Sequence, residues 1–282
     1  MDLDELKTIY QNKAMKVLSI FKKNETLIES HTAKEAGVAS PGKPTAENAK
    51  EESISAESDT ATPEVDKRVH NLIILDESGS MQSIYQPALT GVNETLQTIR
   101  EAEKEHEGQK HFVSLIAFDS GHYNQIYLNT PADKAIDITK DQYRPGGCTP
   151  LYDAMGRAIN NLRPDVAKDD IVLVTVITDG YENDSLEYSG KAIKSLVEAM
   201  KKEGWIFTYI GANQDVEAVA ASMSINNRLS FEANDESTAE MFQRECSSRR
   251  RFFGRIVSTP KQNLSTGYYD DDCEENGNKD ML

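Results

Sequence analysis

The chain has 282 residues, of which 38% are hydrophobic, so it can build one domain of ordinary size with a buried core. Its formal net charge is −16, and much of that charge lies in two stretches. Residues 31–66 carry eight Asp and Glu against three Lys, and residues 268–282 carry six against one. Because phosphate-backbone binding requires a basic surface, this composition excludes a typical nucleic-acid-binding protein.

The cysteines and the first residues bear on the location of the protein. Three widely spaced cysteines, Cys148, Cys246 and Cys273, are typical of free thiols in a reducing compartment. The start, MDLDELKTIY, is acidic where a secretory signal needs positive charge. No apolar run approaches the ~18 residues of a membrane helix. We therefore predict a cytoplasmic protein without a membrane partner.

The first 66 residues predict a helix followed by a linker. Residues 1–30 place apolar side chains on a seven-residue repeat, which predicts one amphipathic helix. That helix could pack on its own domain, bind a partner or mediate self-association. Residues 31–66 are rich in Ala, Ser, Thr, Glu and Pro and contain no aromatic residue, so we expect a disordered acidic linker.

Residues 67–257 alternate between strand-like and helix-like segments. In chain order, strands are predicted at 67–78, 109–120, 122–129, 169–180, 205–213 and 226–233, and helices at 84–105, 149–164, 186–204, 216–224 and 237–256. Strands separated by helices of this length form βαβ units. We therefore predict an α/β domain with a Rossmann-like, doubly wound and mainly parallel sheet. One antiparallel edge strand and helices on both faces complete the predicted fold.

The last predicted helix and the segment after it differ in composition. The run SRRRFF, residues 248–253, predicts a solvated basic helix end, where positive charge complements the helix dipole. Residues 258–282 are acidic and rich in Gly, Asn and Asp, which predicts a disordered tail. The folded domain is thus expected to end at residue 257.

Three polar loops are expected at the carboxyl edge of this sheet, where open α/β folds bind ligands. DESGS, residues 76–80, follows the first strand; GGCTP, residues 146–150, leads into a helix; and TDG, residues 178–180, ends a buried strand. These loops supply five oxygen-bearing candidate ligands: Asp76, Ser78, Ser80, Thr149 and Asp179.

An oxygen-only set suits a hard divalent cation, Mg²⁺ or Mn²⁺, rather than zinc. Ser78 and Ser80 stand two positions apart and can face one ion from an extended turn. Hydroxyl ligands are neutral and leave the ion electrophilic. Carboxylates that contact it through water molecules would hold it in place without completing its coordination shell. We therefore expect one coordination position to accept Asp or Glu of an unknown partner protein.

The motifs DESGSM, GGCTPLYDA and TDG together resemble the metal-ion-dependent adhesion site of the von Willebrand factor A domain family. The resemblance covers roughly residues 67–257 and matches all five candidate ligands. The motif sequences DESGSM and TPLYDA are similar to those of intracellular prokaryotic members. It implies a Rossmann-like fold, a bound Mg²⁺ or Mn²⁺, and recognition of an acidic side chain that completes the metal shell. The segments outside 67–257 are not explained by it.

Three functions are weighed on these residues. The favoured one is a metal-dependent protein-binding module with no catalytic residues. A scaffold that assembles through residues 1–30 around a structural metal is the first alternative. A metal-dependent hydrolase is the second, although no GxGxxG loop, P-loop or GxSxG elbow occurs.

Four further carboxylates near these loops are expected to have minor roles. Glu77 should point away from the site by alternation, and Asp153 should supply charge to the first turn of a helix. Asp119 is interpreted as an ordinary loop carboxylate, and Glu182 as part of the rim of the binding face.

Overall fold

The computed structural model describes residues 66–269. The predicted helix at 1–30, the linker up to residue 65 and the tail from residue 270 lie outside the described residues. Within residues 66–269 no helix is both long and apolar enough to cross a membrane.

Six strands form one sheet in the order β3-β2-β1-β4-β5-β6. They are β1 (Lys67–Asp76), β2 (Gln109–Phe118), β3 (Tyr123–Pro131), β4 (Ile171–Thr178), β5 (Trp205–Ala212) and β6 (Asn227–Phe231). Every neighbouring pair is parallel except β2 with β3, which is antiparallel at one edge. The predicted fold class is therefore confirmed.

Helices cover both faces of the sheet. They are α1 (Tyr85–Glu105), α2 (Leu151–Leu162), α3 (Gly190–Lys202), α4 (Val216–Ser222) and α5 (Asp235–Arg255). One apolar cluster joins the sheet to α1 and α5, and a second joins it to α2, α3 and α4. Successive side chains of a strand point to opposite faces. In β1, Ile73 belongs to the first cluster and Ile74 to the second, which explains the unbroken apolar run.

The strand order reverses between β1 and β4. From β1 the chain moves outward to β2 and β3, and from β4 it moves the other way to β5 and β6. The loops that leave the carboxyl ends of β1 and β4 therefore diverge and leave a crevice between them. This topological switch point is where open α/β sheets bind ligands.

A buried ion pair ties α5 to the middle of the sheet. Arg249 is fully buried and donates to Glu245 at 2.7 Å, to Thr175 of β4 at 2.7 Å and to Asn71 of β1 at 2.9 Å. The prediction of a solvated basic end at 248–253 is wrong for Arg249, because this face of α5 packs on the polar side chains of two central strands.

The domain continues beyond the predicted boundary at residue 257. Leu264 lies in the core, and the hydroxyls of Tyr268 and Tyr269 donate to the two carboxylate oxygens of Glu245 at 3.0 and 2.7 Å. The boundary is therefore corrected to include residues 258–269, because two aromatic side chains give this segment apolar surface to bury. Residues 270–282 of the predicted tail lie outside the described residues.

We predict that Glu245→Gln lowers the free energy of unfolding by about 3–5 kcal/mol, the range for breaking one side of a buried ion pair. Glutamine removes the charge that faces Arg249 and offers one acceptor oxygen in place of two. Denaturant unfolding measures the loss. The matched control is Glu101→Gln, whose side chain is 37% exposed and stands 3.8 Å from Arg250. Equal losses in the two variants would contradict the role given to Glu245.

Candidate metal centre

The two candidate carboxylates lie at the ends of adjacent strands. Asp76 is the last residue of β1, and Asp179 directly follows β4. The strands are parallel, with Leu75 beside Ile177, so both carboxylates reach the same edge of the sheet. This edge is the switch point, as the sequence predicts.

Asp76 is fully buried and connects the two strand ends. Its Oδ1 accepts the backbone N–H of Ser78 at 2.7 Å, and its Oδ2 accepts the Thr178 hydroxyl at 2.6 Å. Burial raises the pKa of Asp76 to about 6, although the hydrogen bonds from Thr178 and Ser78 act in the opposite direction. A positive charge nearby would favour the ionised carboxylate.

The two serines and Asp179 form a chain of contacts. Ser78 Oγ lies 3.1 Å from Ser80 Oγ, and Ser80 Oγ donates to Asp179 Oδ1 at 2.5 Å. Asp179 is buried, and its Oδ2 finds no hydrogen-bond partner within residues 66–269. Burial also raises the pKa of Asp179. A buried carboxylate oxygen without a donor is costly unless a cation or a water molecule contacts it.

Thr149 reaches the same place from the second loop. A Cβ atom added to Gly180 would stand 3.6 Å from Ser80 Oγ and 3.8 Å from Thr149 Oγ1, so both hydroxyls converge on this glycine. The structure thus brings together all five side chains predicted from the sequence. Thr149 is fixed by Asn183, whose Oδ1 accepts the Thr149 backbone N–H at 2.8 Å.

Donor chemistry agrees with a hard cation. The five side chains offer two carboxylates and three hydroxyls, and no nitrogen or sulfur. No group of three or more His, Cys, Asp or Glu side chains in the described part of the chain is placed to hold a metal. The residues therefore fit Mg²⁺ or Mn²⁺, and they do not form a zinc site.

Glu77 is not the bystander that alternation suggests. Its carboxylate accepts the backbone N–H of Arg144, and its carbonyl accepts the N–H of Gly146 at 2.8 Å. Gly147, at φ 67°, offers its carbonyl to the N–H of Gly79 at 3.1 Å. Glu77 therefore fastens the second loop to the first, which places Thr149 beside the serines.

Asp119 has the ordinary loop role that the sequence suggests. Its Oδ1 accepts the backbone N–H groups of Gly121 and His122, both at 2.6 Å, and thereby closes the turn after β2. A Cβ atom on Gly146 would stand 3.9 Å from Asp119 Oδ2, so this turn borders the second loop.

Asp153 has a larger role than the predicted charge in a first helical turn. Its Oδ2 accepts the N–H of Leu186 at 2.9 Å, and its Oδ1 accepts those of Glu187 and Tyr188 at 2.9 and 2.7 Å. This carboxylate therefore holds residues 180–189, which we name the rim loop, against the start of α2.

Glu182 gives the rim loop a second attachment to α2. Its Oε2 accepts the N–H of Tyr152 at 2.9 Å, and its Oε1 accepts the N–H groups of Asp184 and Ser185 at 3.0 and 2.7 Å. The residue at the cap position, Pro150, makes no side-chain cap bond. Glu182 thus satisfies a helix-start donor that would otherwise lack a partner.

Fold and site together define an α/β domain with a polar loop cluster at its switch point. The family model for the von Willebrand factor type A domain matches residues 72–245, more than half of the chain. The chain therefore belongs to the von Willebrand factor type A domain family. A comparison with curated proteins finds no match.

Several solved structures match part of the chain at low sequence identity. A mutant of the PilB minor pilin from Streptococcus sanguinis is 15% identical with a TM-score of 0.48, over 69% of this chain and 64% of the pilin. The vWF domain of the pilus tip protein Mfa5 from Porphyromonas gingivalis is 11% identical with a TM-score of 0.48, over 66% of this chain and 96% of that domain. The VWA domain of SpRpn10 is 11% identical with a TM-score of 0.42, over 62% and 94%.

We predict that Asp153→Asn loosens the rim loop while the sheet stays folded. Asparagine offers one acceptor oxygen where the carboxylate serves three N–H groups, so the free energy of unfolding should fall by about 2 kcal/mol. Hydrogen exchange should accelerate at the amides of residues 186–188. Asp141→Asn is the control, because that carboxylate is 86% exposed in its contact with Arg144. Unchanged exchange in Asp153→Asn would contradict the anchoring role.

Proposed function

We propose that this protein is a divalent-metal-dependent protein-binding module whose metal ion is completed by an acidic side chain of a partner protein. Domains of this family generally mediate protein–protein interaction. The observation that carries the metal proposal is Asp179 Oδ2, a buried oxygen without a donor in the described residues, beside the hydroxyls of Ser80 and Thr149.

The chain's own residues divide into two groups in this proposal. The hydroxyl oxygens of Ser78, Ser80 and Thr149 would bind Mg²⁺ or Mn²⁺ directly. Asp76 and Asp179 would act from behind, as negative charges that orient those hydroxyls or intervening water molecules. When bound, the ion supplies a Lewis acid with a position for a carboxylate. Each oxygen of Asp76 already accepts a hydrogen bond, from Ser78 and from Thr178, which supports the orienting role proposed for it.

The hydrogen bonds of Asp76 argue against its use as the general base of a hydrolase. A general base must reach a water molecule or a substrate proton. Asp76 is fully buried with both oxygens accepting hydrogen bonds, which leaves Asp179 Oδ2 as the one candidate base among the site's carboxylate oxygens.

The scaffold alternative rests on residues 1–30, outside the described residues. We also keep a cytoplasmic location as a proposal, since the exposed thiol of Cys148 suits a reducing compartment.

Ser80 and Ser83 lie in the same short 3-10 helix, Gly79–Ile84, and together they provide a test of the proposal and its control. Ser80→Ala removes a proposed direct ligand from an exposed position, so Mg²⁺ and Mn²⁺ affinity should fall by at least the roughly 10- to 100-fold that loss of a group merely supporting a ligand costs. Isothermal titration calorimetry with each chloride salt measures the affinity.

Ser83→Ala is the matched control. Its hydroxyl is also exposed and only donates to the Ser80 carbonyl at 3.1 Å, so metal affinity should equal that of the unaltered protein. Equal affinities for the Ser80→Ala and Ser83→Ala proteins would contradict the proposed ligand set. The unfolding curve of Ser83→Ala should coincide with that of the parent protein, and that of Ser80→Ala should stay cooperative but shift to lower denaturant concentration because Asp179 Oδ1 loses its donor.

A further inference from the structure

We propose that the rim loop is a second recognition element, which binds an aliphatic or aromatic side chain of the partner next to its acidic residue. This inference rests on the proposed function and specifies the partner. The partner would be a protein segment that carries Asp or Glu for the metal and an apolar residue for Leu186 and Tyr181.

The rim loop lies directly beside the candidate metal centre. It begins at Gly180, the residue on which the hydroxyls of Ser80 and Thr149 converge. Asn183 exchanges hydrogen bonds with the Thr149 backbone, accepting at 2.8 Å and donating at 3.2 Å. The backbone N–H of Leu186 donates to Asp153, which stands four residues after Thr149 in the chain.

The rim loop is fixed although it contains no helix or strand of its own. Beyond the bonds of Asp153 and Glu182, Arg157 donates two hydrogen bonds to the Glu187 carboxylate, at 2.9 and 2.7 Å. The ring of Tyr188 lies over Gly156, where an added Cβ atom would come within 2.6 Å of it. A backbone held at this many points loses little conformational freedom when a partner binds.

This fixed loop exposes apolar side chains. Four large hydrophobic residues are exposed within residues 66–269: Ile136, Tyr181, Leu186 and Val257. Two of the four lie in the rim loop, and Leu186 is 93% exposed, the highest value of the set. One exposed leucine is ordinary on a protein surface. Two of the four on one anchored loop beside the candidate metal centre are a concentration of exposed apolar residues, and Leu186 is the more exposed of the pair.

Two of the three carboxylates of the rim loop, those of Glu182 and Glu187, are already paired, and Asp184 carries the third. The carboxylate of Glu182 is occupied by N–H groups of its own loop and of α2, and that of Glu187 by Arg157. The hydroxyl oxygen of Tyr181 accepts the N–H of Asp215 at 3.1 Å, which fixes its ring over the start of α4. The side chain of Leu186 is apolar and exposed, so burying it against an apolar side chain of a partner is favourable.

The experiment selects short linear peptides from a random display library on the full-length protein in MgCl₂, with release by EDTA. Released peptides should share an acidic residue and an aliphatic or aromatic residue at a constant spacing. A synthetic peptide of the selected sequence should then bind the Leu186→Ser protein roughly ten-fold more weakly than the parent protein. Replacing the apolar residue of the peptide by Ala should remove this difference.

Ile136→Ser is the matched control. Ile136 is 67% exposed and follows β3 in the chain. The last residue of β3, Pro131, pairs with Phe112 near the start of β2, at the end of the sheet opposite to the candidate metal centre. Its substitution should leave peptide affinity unchanged. EDTA-released peptides that need only the acid, or equal affinity for the Leu186→Ser and parent proteins, would overturn the apolar contact alone. Recovery of no EDTA-released peptide would overturn the contact together with the proposed function.

Discussion

The arrangement at the switch point depends on the buried carboxylate of Asp76. Its two oxygens hold the end of β4 through Thr178 and the first loop through Ser78, so the ends of β1 and β4 and the first loop share one fixed group. Hydrogen bonds to a charged acceptor contribute about 1.5–3 kcal/mol each. A strand that ends on an aliphatic residue would leave the Ser78 N–H without this acceptor and the Thr178 hydroxyl with the longer bond to the Gly180 carbonyl at 3.2 Å. The apolar run of β1 therefore has a structural reason to end in an acid.

Three other carboxylates hold neighbouring loops in the same way. Glu77 accepts from the second loop, and Asp153 and Glu182 accept from the rim loop and the start of α2. Each carboxylate serves backbone N–H groups, which are strong donors that must be paired when buried. Loops without regular structure are thereby attached to neighbouring elements at several points. Part of the net charge of −16 is thus internal to the fold rather than spread over its surface.

Much of the fold could be predicted from the sequence because its signals are local. Continuous apolar runs such as β4 and amphipathic helices such as α2 indicate a doubly wound sheet, and strand-end motifs place Asp76 and Asp179 at one edge. The binding of a cation by the five candidate ligands stays a prediction. The sequence does not predict the roles of Glu77, Asp153 and Arg249 for one physical reason. Glu77 and Asp153 accept from distant backbone N–H groups, and Arg249 is buried by distant Asn71 and Thr175 although Glu245 is its near neighbour on α5.

The end of the domain is a second case in which contacts that form only on folding are not visible in the sequence. Tyr268 and Tyr269 follow a polar stretch and stand next to an acidic one, which predicts a tail. Their hydroxyls nevertheless meet Glu245 in the interior, where the carboxylate serves Arg249 as well. Two aromatic residues were enough to extend the folded domain by one segment, because they bury apolar surface and satisfy a buried charge together.

The central claim is that oxygen atoms from three loops surround one divalent cation. Anomalous X-ray diffraction from a crystal of the protein equilibrated with MnCl₂ tests it most directly, because manganese scatters anomalously and the protein oxygens do not. The account predicts a single strong peak about 2 Å from the hydroxyl oxygens of Ser78, Ser80 and Thr149. A crystal without a peak at these hydroxyls, or with its strong peak elsewhere on the domain, would contradict it.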